Sequence, residues 1–254
     1  MVLAIDIGNT NIVIGGFESG KVLFTERLST NKNCTVMEYT VLIKSVLELC
    51  NIEIARLDGG IISSVVPSVT SRVKEAIEKI TGAKVFVLGP GLKTGVKIAI
   101  DNPAQAGADL VAGAAAAVAE YPCPIIVIDM GTATTITVID KSERFIGGMI
   151  MPGLRISLES LTSSTSQLPN ISLDPPKRVI GSNTVDCMKS GLIYGNAAAI
   201  DGTIERIEAE LGESCTVVAT GGLAGVITPL CKRDIIVDDK LLLKGLMEIY
   251  NKNK

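Results

Sequence analysis

One short pattern opens both halves of this chain. Residues 2–5 are an apolar run ending at Asp6, followed by Gly8, Thr10 and a second apolar run. Residues 125–128 run apolar into Asp129, and Gly131, Thr132, Thr134 and Thr135 precede another apolar run. Set side by side, AIDIGNTNIVIGG and VIDMGTATTITVI each read as a buried strand, a D-x-G turn with threonine, and a returning strand. The two aspartates stand about 120 residues apart, one domain length and far more than a solenoid period. The chain is therefore read as an internal duplication: an α/β protein of two lobes, 1–115 and 116–254, with the hinge over 113–124. In the first lobe the pattern predicts a third strand at 21–28, helices over 37–49 and 68–80, strands over 59–65 and 83–88, and an Ala-rich helix over 107–120. In the second it predicts a strand at 145–150, a helix to Leu161 and a Ser/Thr/Pro-rich loop through Pro176. A long helix over 184–211, bent at Gly191, Gly195 or Gly202, a strand at 215–219 and a final helix over 240–250 complete it.

Composition removes several classes of function. Net charge is −3 with no basic run, and aromatics are 3%, so neither a phosphate-binding nucleic-acid surface nor a base-stacking platform is expected. The start MVLAIDIGNT lacks the basic region of a signal peptide. The most apolar long stretch, 110–128, is interrupted by Glu120, Pro122 and Pro124 and fails as a membrane span. Six cysteines without a C-x-x-C pair read as free thiols in a reducing cytosol. There is no histidine, which excludes Ser-His-Asp and Cys-His catalysis and any His-ligated metal. A general base near neutral pH must then be a carboxylate or something less usual.

Three segments carry chemistry. In DIGNTN, a Gly-containing turn between strands lets backbone N–H groups face phosphate oxygens, with Thr10 and Asn11 as further donors. Asp6, at the strand's carboxyl end, can hold Mg²⁺ directly or through water. DMGTATT repeats the arrangement at 129–135. Alone, each is equally an ordinary hairpin turn; two at matching places in duplicated halves point to two phosphate clamps. The third segment is TGGLA at 220–224, where Gly221 and Gly222 would let a flat adenine lie against backbone, although a plain strand–helix turn reads the same way.

These segments, in this order, resemble the actin-like ATPase and sugar kinase superfamily, whose fold is a pair of duplicated, ribonuclease H-like α/β lobes. With GLKTG (91–95), DNPAQAGAD (101–109), GGMIMPGL (147–154), IGSNT (180–184) and GLIYG (191–195), the whole chain is similar to a type III pantothenate kinase. The resemblance implies an ATP-dependent kinase acting on pantothenate in coenzyme A synthesis, with ATP in a cleft between lobes and a homodimer as the active form. The first phosphate motif matches Asp6, Ile7, Gly8, Asn9, Thr10 and Asn11, continuing through Ile12 to Val13. Asp129 matches the residue holding a monovalent cation, potassium or ammonium, and Thr132 one that contacts ATP. Gly107, Ala108 and Asp109 match a pantothenate-contacting segment whose aspartate is the general base, and Thr184 matches a substrate-contacting threonine. From the residues themselves, Asp109 is equally a helix N-terminal aspartate favoured by the macrodipole.

Four positions depart from the family pattern, all in the acceptor segment. Leu110 replaces an arginine, Ile100 an aromatic, Gln105 an arginine or lysine, and Gly113 an asparagine. Leucine cannot supply the planar donors of a guanidinium. Two further readings stand beside pantothenate phosphorylation: a related kinase acting on another hydroxylated metabolite, and a non-catalytic ATP-binding regulator.

Overall fold

Strand Val2–Ile7 (β1) is the centre around which the first half is built. It pairs antiparallel with Asn11–Glu18 (β2), which pairs antiparallel with Lys21–Ser29 (β3). On its other side it runs parallel to Gly59–Ser64 (β4), and Val85–Val87 (β5) forms the edge, giving the order β3-β2-β1-β4-β5. Parallel neighbours need a crossover, and helices Val36–Leu49 (α1) and Pro67–Thr81 (α2) supply it. Helix α1 starts at a capping box, with Glu38 N donating to Thr35 Oγ1 and Thr35 N to Glu38 Oε2. Helix α2 starts at Pro67 and stops at the left-handed Gly82. Each buries an i, i+4, i+7, i+8 stripe (Tyr39, Ile43, Val46, Leu47; Val69, Val73, Ala76, Ile77). These stripes form one core with Leu3, Ile5 and Ile7 of β1, the odd residues on one face of the strand.

The computed structural model describes residues 1–254, and the chain divides into two compact units. The first comprises Met1–Lys97, Asp101–Ala119 and Leu241–Lys254; the second, Ile98–Ile100 and Glu120–Lys240. The sequence put one boundary between 115 and 116. The structure breaks the chain at 119/120 and adds two exchanges that the sequence did not predict: 98–100 goes to the second unit and the final helix to the first. That C-terminal helix, Leu241–Asn251, packs on β1 and β4, and Tyr250 meets Phe86 of β5 edge to face at 5.6 Å.

The second unit repeats the topology. Ile125–Met130 (β7), Ala133–Ile139 (β8) and Arg144–Pro152 (β9) form an antiparallel meander, and Thr216–Thr220 (β10) and Ile236–Val237 (β11) run parallel on the far side of β7. The order β9-β8-β7-β10-β11 matches that of the first sheet strand for strand, with Lys97–Ile98 (β6) added beyond β9. Even the irregularity recurs, with register shifts at Gly16/Phe17 in β2 and at Val138/Ile139 in β8. The duplication read from two aspartates is a duplication of whole sheets. Helix Ala108–Glu120 (α3) follows β6, Leu154–Ser164 (α4) follows β9, and Thr184–Leu211 (α5) covers the second sheet with Met188, Leu192, Ile193, Ala197, Ile200 and Ile204. The sequence anticipated the bounds of α5, a continuous helix of 28 residues that runs through Gly191, Gly195 and Gly202.

Candidate active site

The Gly8–Thr10 turn is held by its backbone. Pairing of β1 with β2 persists to Ile7 and Ile12, both buried, and Gly8 N donates to Asn11 O at 2.9 Å. Thr30, just past β3, clamps the turn twice: its N–H donates to Thr10 O (2.9 Å) and its Oγ1 to Gly8 O (2.7 Å). The side chains of Asn9, Thr10 and Asn11 are exposed, while Asp6 and Val13 are half-buried. Asp6 lies on the sheet face opposite Ile5 and Ile7. There it is in register with Ser63 of the parallel strand β4, a residue with no solvent exposure whose Oγ has no hydrogen-bond partner.

Gly107, Ala108, Asp109 and Leu110 form the first turn of α3, opened by Val111 N donating to Gly107 O at 3.0 Å. Asp109 Oδ1 accepts from Leu110 N at 2.9 Å. Asp109 and Leu110 are half-buried, Gln105 is exposed and Gly113 buried. Ile100 belongs to the other unit, next to Ala99, whose N–H donates to Phe145 O of β9 at 2.7 Å. Thr184 is the exposed first residue of α5, capped by Asn183 Oδ1 accepting from Asp186 N at 2.9 Å.

In the second unit three chain segments meet. The β7–β8 turn consists of Gly131 and Thr132, with Gly131 N donating to Ala133 O at 3.1 Å. It is one residue shorter than the Gly8–Thr10 turn, so Thr132 and Thr10 are not strict equivalents. Strand β10 brings Thr220 into register with Asp129, and Gly221 follows at φ +94°. A Cβ on Gly221 would lie 2.5 Å from Asp129 Oδ1 and 2.7 Å from Met130 N. Gly153, the N-cap of α4, fits against the carbonyl oxygens of Gly131 and Thr132, where a Cβ would clash. Asp129 and Thr132 are thus packed with Gly153 and Gly221, both distant from them in sequence, into one cradle whose walls are backbone, with a helix N-terminus at its side. A cavity of about 420 Å³ in this unit is lined by Leu223 of the TGGLA segment together with Arg155 and Asn170.

Three contributors were not singled out from the sequence. Thr30 and Ser63 are ordinary strand-end residues in one dimension and meet the turn only through strand pairing. Gly153 lies within the GGMIMPGL segment, where the Pro-Gly pair marks a turn but does not say what the glycine touches.

No group of three or more His, Cys, Asp or Glu side chains forms a protein cage for a metal. One carboxylate beside an orphaned buried hydroxyl, Asp6 with Ser63, fits a Mg²⁺ held chiefly by nucleotide phosphates and water. All six cysteines are free, and burial pushes the thiols of Cys215 and Cys231 up to about 11, so neither supplies a thiolate at neutral pH.

The family model described as type III pantothenate kinase matches residues 2–206. A protein named type III pantothenate kinase from an Exiguobacterium species is 42% identical over 254 residues, covering 100% of both chains. Among solved structures, a Campylobacter jejuni protein described as a conserved putative Baf family transcriptional activator superposes with a TM-score of 0.61 at 20% identity, covering 99% of this chain and 98% of its own. An inorganic polyphosphate/ATP-glucomannokinase from an Arthrobacter species gives 0.51 at 16% identity and covers 99% of each chain. At these identities the solved structures establish the fold alone, the duplicated α/β architecture of actin-like ATPases and sugar kinases. With the family model over most of its length and a full-length relative at 42% identity, the chain belongs to the type III pantothenate kinase family.

Proposed function

We propose that this protein transfers the γ-phosphoryl group of ATP to the primary hydroxyl of pantothenate, giving 4′-phosphopantothenate at the entry to coenzyme A biosynthesis. The observation that carries the proposal is the pair of D-x-G turns at the same topological place in two sheets of identical strand order, each beside a strand-end aspartate. Residues Asp6 to Val13 form one phosphate clamp, in which Gly8 and Asn9 present backbone and Thr10 and Asn11 side-chain donors. Thr132 donates to the phosphates from the second turn, Asp129 holds a monovalent cation, potassium or ammonium, and Gly221 and Gly222 lie against the adenosine. A Mg²⁺ ion at Asp6 supplies charge neutralisation on the phosphate oxygens when bound. Gly107, Ala108 and Thr184 contact the acceptor. Asp109 uses one carboxylate oxygen to accept from Leu110 N–H and leaves the other to take the hydroxyl proton as the oxygen bonds to phosphorus and ADP departs.

The direct test is product analysis with ATP, magnesium and a panel of hydroxylated metabolites, run in potassium, ammonium and sodium buffers of equal ionic strength. Phosphopantothenate formed faster in potassium or ammonium is the expected result. A different phosphorylated product would move the acceptor, and retained ATP binding without turnover would make the chain a regulator. Equal rates in the three buffers would remove the cation from Asp129.

Leu110 motivates the second reading, a kinase for a less anionic acceptor. Pantothenate is an anion, and at this half-buried position a leucine replaces a cation. Leu110→Arg is expected to lower the KM for pantothenate by tenfold or more, from a charge-assisted hydrogen bond of about 1.5–3 kcal/mol, and to leave the KM for ATP unchanged. A low wild-type KM that the arginine does not improve would make Leu110 a neutral variation, and the melting temperature of the variant reports any failure to fit the larger side chain.

The homodimer expected from the family has a structural correlate. Helix α5 exposes Cys187, Gly191, Gly195, Ala198 and Ala199 along one side, and Val179 and Ile180 just before it are 61% and 86% exposed. Small residues let a second helix approach closely, and exposed aliphatics favour burial. Sedimentation equilibrium is expected to give twice the chain mass, and Gly195→Arg a monomer. No helix is long and apolar enough to cross a membrane, and the six free thiols support a cytoplasmic location.

A further inference from the structure

Ser63, in register with Asp6 beside the first phosphate turn, is a polar group that the proposed mechanism leaves unused. Its residue has no solvent exposure, and its hydroxyl meets no donor or acceptor within the fold. Leaving a hydroxyl buried and unpaired costs about 1–3 kcal/mol, so such a group calls for a reason. Its neighbour Ser64 shows what a structurally employed serine does at this strand end: Ser64 Oγ accepts from Val66 N at 3.0 Å and from Thr70 Oγ1 at 2.7 Å. Those bonds tie β4 to the start of α2. Alternation along the strand turns Ser63 to the opposite face, the face of Asp6. Parallel pairing puts Ser63 and Asp6 directly side by side at the carboxyl ends of β1 and β4.

We propose that Ser63 is a positioning residue for the divalent cation at Asp6, its hydroxyl turning to donate to the Asp6 carboxylate and orient it toward the cation. Side chains in register on neighbouring strands have Cβ atoms about 5 Å apart, within reach of a direct bond between a hydroxyl and a carboxylate, and the lack of solvent exposure at Ser63 leaves no room for a water between them. Mg²⁺ binds the protein through only one or two carboxylates, so a hydrogen bond that orients one of them acts directly on its affinity. The inference rests on the reading of Asp6 as the cation ligand in an ATP-dependent kinase.

The test compares Ser63→Ala with Ser64→Ala in the full chain. Three quantities are measured: the melting temperature without ligand, Mn²⁺ binding in the presence of ADP by electron paramagnetic resonance, and turnover as a function of Mg²⁺. Ser63→Ala is expected to melt at or above the wild-type temperature, because it removes an unpaired buried hydroxyl. It is expected to weaken Mn²⁺ binding and raise the half-saturating Mg²⁺ by about three- to tenfold, the worth of one hydrogen bond. Ser64→Ala is expected to do the reverse, melting lower with Mn²⁺ affinity intact. Unchanged Mn²⁺ affinity in Ser63→Ala overturns the inference, and so does a weakened affinity accompanied by a melting temperature as low as that of Ser64→Ala. If the wild type turns pantothenate over and Ser63→Ala matches it throughout, this inference fails alone. If Mn²⁺ binding shifts as expected while no acceptor is phosphorylated, the positioning role stands and the kinase reading falls. A wild type that binds no Mn²⁺ with ADP ends both.

Discussion

Asp109→Asn is expected to lower kcat for phosphoryl transfer by about 10²–10⁴, the usual worth of a general base. The amide keeps the volume of the carboxylate and can still accept the Leu110 N–H bond, so the first turn of α3 survives. What it cannot do is accept the proton that leaves the attacking hydroxyl. The competing role for Asp109, a negative charge at a helix N-terminus, is worth about 0.3–1 kcal/mol and acts on stability. The two roles therefore separate by readout. A base predicts a large fall in kcat with the affinity for ATP and the melting temperature nearly kept. A helix-dipole residue predicts a small drop in melting temperature and a loss of activity below tenfold. The absence of histidine sharpens the comparison, since no imidazole is available to take over the proton.

Gly221→Ala is expected to be strongly destabilising. The backbone there has φ +94°, a region that costs an alanine about 1–2 kcal/mol. The added Cβ would also sit 2.5 Å from Asp129 Oδ1 and 2.7 Å from the backbone N and C of Met130. Backbone atoms of a paired strand cannot swing aside, and overpacking of this kind costs about 1–3 kcal/mol more. Together the terms reach about 2–5 kcal/mol, a fall of about 5–15 °C in melting temperature at this chain length. Any relief comes from pushing the Asp129 carboxylate away, which removes the proposed monovalent cation along with stability. Gly212→Ala is the control. Gly212 also has a positive φ, +74°, as the C-cap of α5, yet no atom lies within 4 Å of its would-be Cβ. It is expected to lose about 1 kcal/mol and no activity. A Gly221 variant that behaves like the Gly212 variant would show that β10 and β7 do not meet as closely as the structure has them.

Much of the fold was legible because its signals are local. The capping box at Thr35 and Glu38, Pro67 at the start of α2, and the glycines at 82 and 212 mark helix ends by satisfying or sparing particular backbone groups. The periodicity of 3.6 in α1 and α2, and the apolar runs of β1 and β7, follow from which faces are buried. The duplication was legible for the same reason, since each copy must rebuild its turn from glycine and hydroxyl-bearing residues. Glycines 191, 195 and 202 lower helix propensity within α5, yet the buried stripe from Met188 to Ile204 keeps the span helical.

By itself, then, the sequence determined two α/β halves, a D-x-G turn at the same place in each, and a carboxylate at the start of α3 in a chain with no histidine. Only the tertiary structure decided who stands next to whom. Composition and spacing carry nothing about the docking of the last helix onto β1 and β4, or about the pairing of 98–100 with the second sheet, because both depend on surfaces created elsewhere in the chain. The same is true of Ser63 beside Asp6, and of Gly221 and Gly153 closing around Asp129 and Thr132. Register between strands distant in sequence is set by burying whole faces at once, and a one-residue difference such as that between the two turns is invisible until the partners are in place.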